Sequence, residues 1–249
     1  MFGRRKLAAL VAEFLGTGIL TATVLSVQHS GIGYPLFIAM AAGIAVALFS
    51  YAVGESSGGY FNPAIAIGQW TAGKVATVTT ILYVAVELLG AWAAYFLYTY
   101  LVNNHLGKIG GKYSARILIA EIVGTAIFGF VFASAVNKIE KGEGTQPSKS
   151  AYIGIGLFIG ALVASSGSVG LLNPALALGV RAWVWSTYVV GPILGAVVGT
   201  QLYVLLFTDA GSNLLSSISM TTTTGSSTSS KSSGSRQKIS AKKSTAKKK

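Results

Sequence analysis

The tripeptide Asn-Pro-Ala occurs twice, at 62–64 and 173–175, and no other feature constrains the fold as strongly. Asn before Pro is an N-cap followed by the residue best tolerated at the first helical position. Each copy therefore opens a helix, and each helix reads as about two turns of mostly apolar residues before a polar or basic one. At 1.5 Å per residue a helix of about eight residues covers roughly 12 Å, less than half of a bilayer core. Two such half-helices need a frame.

The frame is a membrane bundle. With 52% hydrophobic and 10% charged residues, the chain belongs in lipid. Six apolar runs read as spans, at 7–27, 36–53, 76–102, 117–136, 151–165 and 183–207. The first half-helix follows the second span, ending near 70–74, and the second occupies 167–182 after the fifth. A cleaved leader is the other reading of the first run, but its length and Glu13 favour a retained helix.

The chain also repeats itself. Leu10-Val11-Ala12-Glu13-Phe14-Leu15-Gly16-Thr17 matches Leu118-Ile119-Ala120-Glu121-Ile122-Val123-Gly124-Thr125, and Leu89-Gly90-Ala91 matches Leu194-Gly195-Ala196. Each repeat, about 7–102 and 117–208, holds three spans, so the second lies inverted relative to the first. The half-helices then enter from opposite faces and meet near the midplane. Irregular backbone at that depth must be buried or line a polar cavity, and a pore is the simplest such cavity.

The net charge of +12 is explained by topology rather than by nucleic acid. With both termini in the cytoplasm, Arg4, Arg5, Lys6, Lys74, Lys138, Lys141, Lys149 and eight tail residues lie inside, leaving Lys108, Lys112, Arg116 and Arg181 outside. The stretch 209–249 is rich in Ser, Thr and Lys and reads as a disordered cytoplasmic tail. It lacks the interleaved aromatics of a single-strand-binding segment. The absence of Cys excludes disulfides and thiolate metal sites, and His29 and His105 fall in separate polar stretches, so no metal or cofactor is expected. No catalytic constellation is present.

Both motifs, the Ala-Glu-x-x-Gly-Thr starts, Ser57-Gly58-Gly59 before the first motif and Gly191-Pro192 in the last span resemble the aquaporin/aquaglyceroporin (major intrinsic protein) family over about 7–208. The resemblance implies an all-α membrane protein with six transmembrane helices and two re-entrant half-helices in an inverted repeat. It further implies a homotetramer in the plasma membrane and a passive channel for water and small neutral solutes such as glycerol or urea, excluding protons and ions. Asn62, Pro63, Ala64, Asn173, Pro174 and Ala175 would form the pore motifs, each Asn amide capping its helix and offering N–H donors to a passing molecule. Paired helix N-termini would repel cations there.

Glu13 and Glu121 lie inside apolar spans, where charged groups face the bundle interior. The family resemblance makes them acceptors for the loop N–H groups; a proton relay in a coupled transporter is the other functional reading, and a non-conducting structural homologue is a third. Glu87 stands where the family usually has Gln, and Glu55 and Tyr60 stand where His is common. The four family filter positions fall on Ala42, Ala161, Gly170 and Leu176, the last replacing a nearly invariant Arg that Arg181 is too far along the helix to restore. Ala177 replaces the Asp of glycerol channels; Tyr188 fits water channels, whereas Val189 does not. Small side chains at the filter predict an opening wider than a water-only one. Gly191, Gly195 and Gly199, with Gly156 and Gly160, give faces for close helix approach.

Overall fold

The computed structural model describes residues 3–104, 106–107, 112–214 and 216. Among these every regular element is helical: α1 (Arg4–Gln28), α2 (Pro35–Ser57), α3 (Pro63–Thr71), α4 (Thr77–Val102), α5 (Ala115–Glu140), α6 (Gln146–Ala164), α7 (Pro174–Gly179) and α8 (Gly191–Phe207), the last continuous with a π-helical turn at Ser186–Val190. Six helices are long and apolar enough to cross a membrane: α1, α2, α4, α5, α6 and the combined Ser186–Phe207. Their outer faces keep Leu48, Ile81, Leu97 and Leu202 exposed, as lipid-facing surface requires.

The two halves pack alike. Helix α1 lies against α2 and α4, and α5 against α6 and α8, while α2 and α6 join the halves. Each half-helix is seated on the last span of the other half, α3 on α8 and α7 on α4. The repeat is visible at single glycines. A Cβ on Gly43 would lie 2.6 Å from the Gly154 carbonyl oxygen, and one on Gly154 would lie 2.4 Å from that of Gly43. These reciprocal contacts mark a pseudo-twofold relation. Likewise a Cβ on Gly90 would sit 2.2 Å from the Phe14 carbonyl, and one on Gly195 would sit 2.3 Å from the carbonyl of Ile122, the repeat partner of Phe14. Bare backbone lets these helices approach without a hydrophobic driving force between them.

Several boundaries differ from the sequence reading. Helix α7 has six residues and α3 has nine, so the second half-helix is shorter than 167–182 implies; its approach, 167–173, is irregular. Helix α6 starts at Gln146 rather than 151, because Thr145 and Ser148 form a capping box with Pro147 in the first turn. The charged stretch 137–150, which the apolar runs 117–136 and 151–165 leave between them as a loop, therefore shrinks, its first residues completing α5. The π turn before α8 has a covalent cause: Pro192 has no N–H for the Tyr188 carbonyl four residues back, so the ladder widens there. Helical conformation also persists at 209–214. His105, Lys108 and the basic tail from 217 onward lie outside the described residues.

Candidate functional site

The site is built where the two irregular approaches meet. Ser57 ends α2, and Gly58 and Gly59 adopt φ values of 109° and 72°, turning the chain inward in conformations that only glycine reaches cheaply. Gly170, the repeat partner of Gly59, has φ 68°. Two residues later in each half stands a non-glycine residue in the same left-handed region, Phe61 at 49° and Leu172 at 54°. Such backbone costs about 1–3 kcal/mol and persists only where neighbours over-determine it.

Those neighbours are the glutamates and glycines of the repeated Ala-Glu-x-x-Gly-Thr. The N–H groups of Tyr60 and Phe61 donate to Glu13 Oε1 and Oε2 at 3.1 and 2.6 Å. In the second half, Leu171 and Leu172 donate to Glu121 Oε1 and Oε2 at 3.1 and 2.7 Å, and the Ser168 hydroxyl also donates to Oε1. Gly16, three residues after Glu13, leaves the space in which the Phe61 ring lies, and Gly124 does the same for Leu172. One helical turn thus holds both the backbone and the side chain of the strained residue. The role of Phe61 and Leu172 was not apparent from their residue types; the signal was their place immediately before each Asn.

Each Asn is held from both ends. Asn62 Oδ1 accepts from Ala64 N–H at 2.9 Å, and Asn173 Oδ1 accepts from Ala175 and Leu176 N–H at 2.9 and 3.2 Å. The amide nitrogens cross over: Asn62 Nδ2 donates to the Leu172 carbonyl at 2.9 Å, and Asn173 Nδ2 donates to the Phe61 carbonyl at 2.8 Å. Asn62 N–H donates to Glu87 Oε1 at 3.0 Å, a contact with no counterpart in the second half, where Pro192 stands at the matching place.

Around the first approach, Lys149 Nζ donates to the Gly58 carbonyl at 3.0 Å and Tyr83 Oη to the Ser57 carbonyl at 3.0 Å. The Tyr60 ring lies between Phe132 and Tyr83, with centroids 5.4 and 5.8 Å away.

Beyond Asn173 a small cavity brings together Ala42, Ala161, Gly170 and Leu176. Gly170 is forced to be glycine twice over, since a Cβ there would also lie 2.5 Å from the Ala161 carbonyl. The cavity is narrower than four such residues imply. Leu20 and Val24 of α1, Leu157 of α6 and Leu171 crowd it, leaving a volume of about 10 Å³, the room of roughly one water. The sequence reading counted the four family positions and missed this second ring. Arg181 does not line it: α7 ends at Gly179, and the guanidinium donates to Tyr95 Oη at 3.2 Å and to the Leu106 carbonyl at 2.8 Å. His29 is likewise structural, its Nδ1 lying 2.9 Å from the Leu25 carbonyl oxygen. Among the described residues no cluster of His, Cys, Asp and Glu could hold a metal ion.

The family model for Major intrinsic protein matches residues 4–203. The chain belongs to the major intrinsic protein family. Relatives within it carry different names. Aquaporin Z of Photorhabdus laumondii is 31% identical over 234 residues, covering 82% of this chain and 99% of that one. A glycerol uptake facilitator protein of Streptococcus pneumoniae is 30% identical over 229 residues, covering 81% and 95%. The aquaglyceroporin of Plasmodium falciparum superimposes with a TM-score of 0.64 at 20% identity, covering 85% and 99%, which shows the shared aquaporin fold. As a major intrinsic protein with six membrane-capable helices, the chain is an integral membrane channel protein.

Proposed function

We propose that the chain is a passive channel conducting water and, more slowly, small neutral solutes such as glycerol or urea, while excluding protons and ions. The observation that carries this is the crossed pair of asparagines. An amide nitrogen has two N–H groups. In each Asn one is used on the opposite approach, and the other is left for a molecule passing between two helix N-termini. Each N-terminus adds roughly half a positive charge, which a neutral hydroxyl tolerates and a hydrated cation does not. Asn62, Pro63, Ala64, Asn173, Pro174 and Ala175 are the pore motifs in this reading, Glu13 and Glu121 hold their approaches, and Ala42, Ala161, Gly170 and Leu176 form the filter.

The filter sets the order of solutes. Its resting volume suits one water, and glycerol or urea needs Leu176 to turn aside. None of the four filter residues brings a cation or a side-chain donor, and Asn173 at the inner end of the cavity is the one lining amide, so a hydroxyl stripped of water beyond its reach loses about 1–3 kcal/mol. Names among the relatives, aquaporin and glycerol uptake facilitator, cover both solutes. The basic residues favour cytoplasmic termini in a plasma membrane, and the family resemblance favours a homotetramer. Stopped-flow light scattering on proteoliposomes tests the proposal: sucrose should drive shrinkage faster than in protein-free vesicles, with glycerol and urea entry slower, and a pH dye should report no proton leak. Water flux equal to that of empty vesicles would support the non-conducting reading, and solute flux that follows a pH gradient would support the coupled transporter.

A further inference from the structure

The two halves differ in a buried carboxyl. Glu13 and Glu121 each meet two loop N–H groups, but only the first half has a second carboxyl, Glu87 on α4, fully buried beside the first. Glu87 Oε1 accepts from Asn62 N–H, whereas Oε2 is closed off from solvent and receives no donor. The Glu13 carboxyl lies beside it, because the two carboxyls take consecutive N–H groups of one chain, Phe61 on Glu13 Oε2 and Asn62 on Glu87 Oε1, and Glu13 also accepts from Tyr60.

Charge counting narrows the choices. The titratable groups facing the pair are Tyr60 from the re-entrant approach, Tyr83 on α4 and Lys149 on α6, with Glu140 of α5 more remote. Lys149 is the one cation among them, and its ammonium points to the Gly58 carbonyl. No salt bridge reaches Glu13 or Glu87 among the described residues. One cation can balance one carboxylate. Two adjacent carboxylates sealed in a helical bundle cannot both stay ionised; such pairs keep one proton between them.

We infer that Glu87 carries a proton on Oε2 and donates it to the Glu13 carboxylate, making Glu87 the positioning residue for the first re-entrant approach. One carboxyl then acts at both ends: its hydroxyl completes the Glu13 cradle for Tyr60 and Phe61, and its carbonyl oxygen fixes Asn62 N–H. Gln offers the same donor and acceptor without a titrating proton, which makes it the informative substitution. The inference deepens the channel reading, and only its transport arm rests on that reading.

The test is infrared spectroscopy of the lipid-reconstituted protein at neutral pH, paired with water permeability. The wild type should show the C=O stretch of a buried protonated carboxyl, and Glu87→Gln should lose that absorption while keeping wild-type water permeability. Glu87→Leu, which offers neither donor nor acceptor, should lose most of the permeability that Gln restores. No such absorption in the wild type, or its persistence in Glu87→Gln, would overturn the inference. So would a folded Glu87→Gln without permeability, or a fully permeable Glu87→Leu. The infrared arm needs no transport, so a wild type that fails to conduct water strikes the proposed function and leaves this assignment to be decided by the spectrum. A Leu variant that does not fold leaves the Gln comparison decisive.

Discussion

At the residue scale, Asn62 and Asn173 combine a helix cap and a cross-link between halves in one side chain. Replacing either by Asp keeps the cap and exchanges two donors for a carboxylate facing two helix N-termini. Cation leak should rise and water flux fall, measured as dye-reported ion flux beside stopped-flow shrinkage; unchanged ion exclusion in both variants would move the barrier elsewhere. Leu176 is the largest of the four filter side chains at the narrow cavity. Leu176→Ala should raise glycerol entry relative to water: relief of about 1 kcal/mol, the low end of an overpacking penalty, is about a fivefold gain. Leu176→Arg should reduce glycerol entry more than water flux. The sequence made the asparagines visible as caps in a repeated Asn-Pro-Ala, and the glutamates because a charged type is costly in lipid. It hid Leu20, Val24 and Leu157, because ordinary apolar residues on a span give no sign of which face they turn to the filter.

At the element scale, the spans were legible from hydropathy and the half-helices from Asn-Pro, but the ends were not. The α6 start depends on a Thr145–Ser148 capping box inside what reads as a charged loop, and the π turn depends on a missing N–H at Pro192. Both are hydrogen-bond effects that composition does not register. Helix contacts were better marked, since Gly195 and Gly199 stand against the carbonyls of Ile122 and Ala126 at 2.3 and 2.0 Å from a would-be Cβ. Gly90→Ala and Gly195→Ala should therefore destabilise to a similar degree, by about 1–3 kcal/mol each, because they are repeat partners meeting carbonyls at 2.2 and 2.3 Å. Thermal melts in detergent measure this; a Gly195→Ala protein as stable as the wild type would contradict so close an approach.

At the scale of the whole molecule, the absence of Cys has a direct pharmacological consequence. Mercurials that act by blocking a pore thiol should leave water permeability unchanged, and complete inhibition at micromolar HgCl₂ would require another target. The crossed amides also bear on how the protein is made. Asn62 Nδ2 takes its acceptor from a residue 110 positions later. At about 5–20 residues per second the ribosome needs about 5–20 s to deliver that residue. Through that interval the first approach, with its left-handed Phe61, has the Glu13 cradle but not its opposite half. The nascent first repeat is thus a waiting intermediate, exposed to quality control until the second repeat inserts. Two separately expressed halves, split in the segment between α4 and α5, should rescue one another in a membrane, while either alone should be degraded.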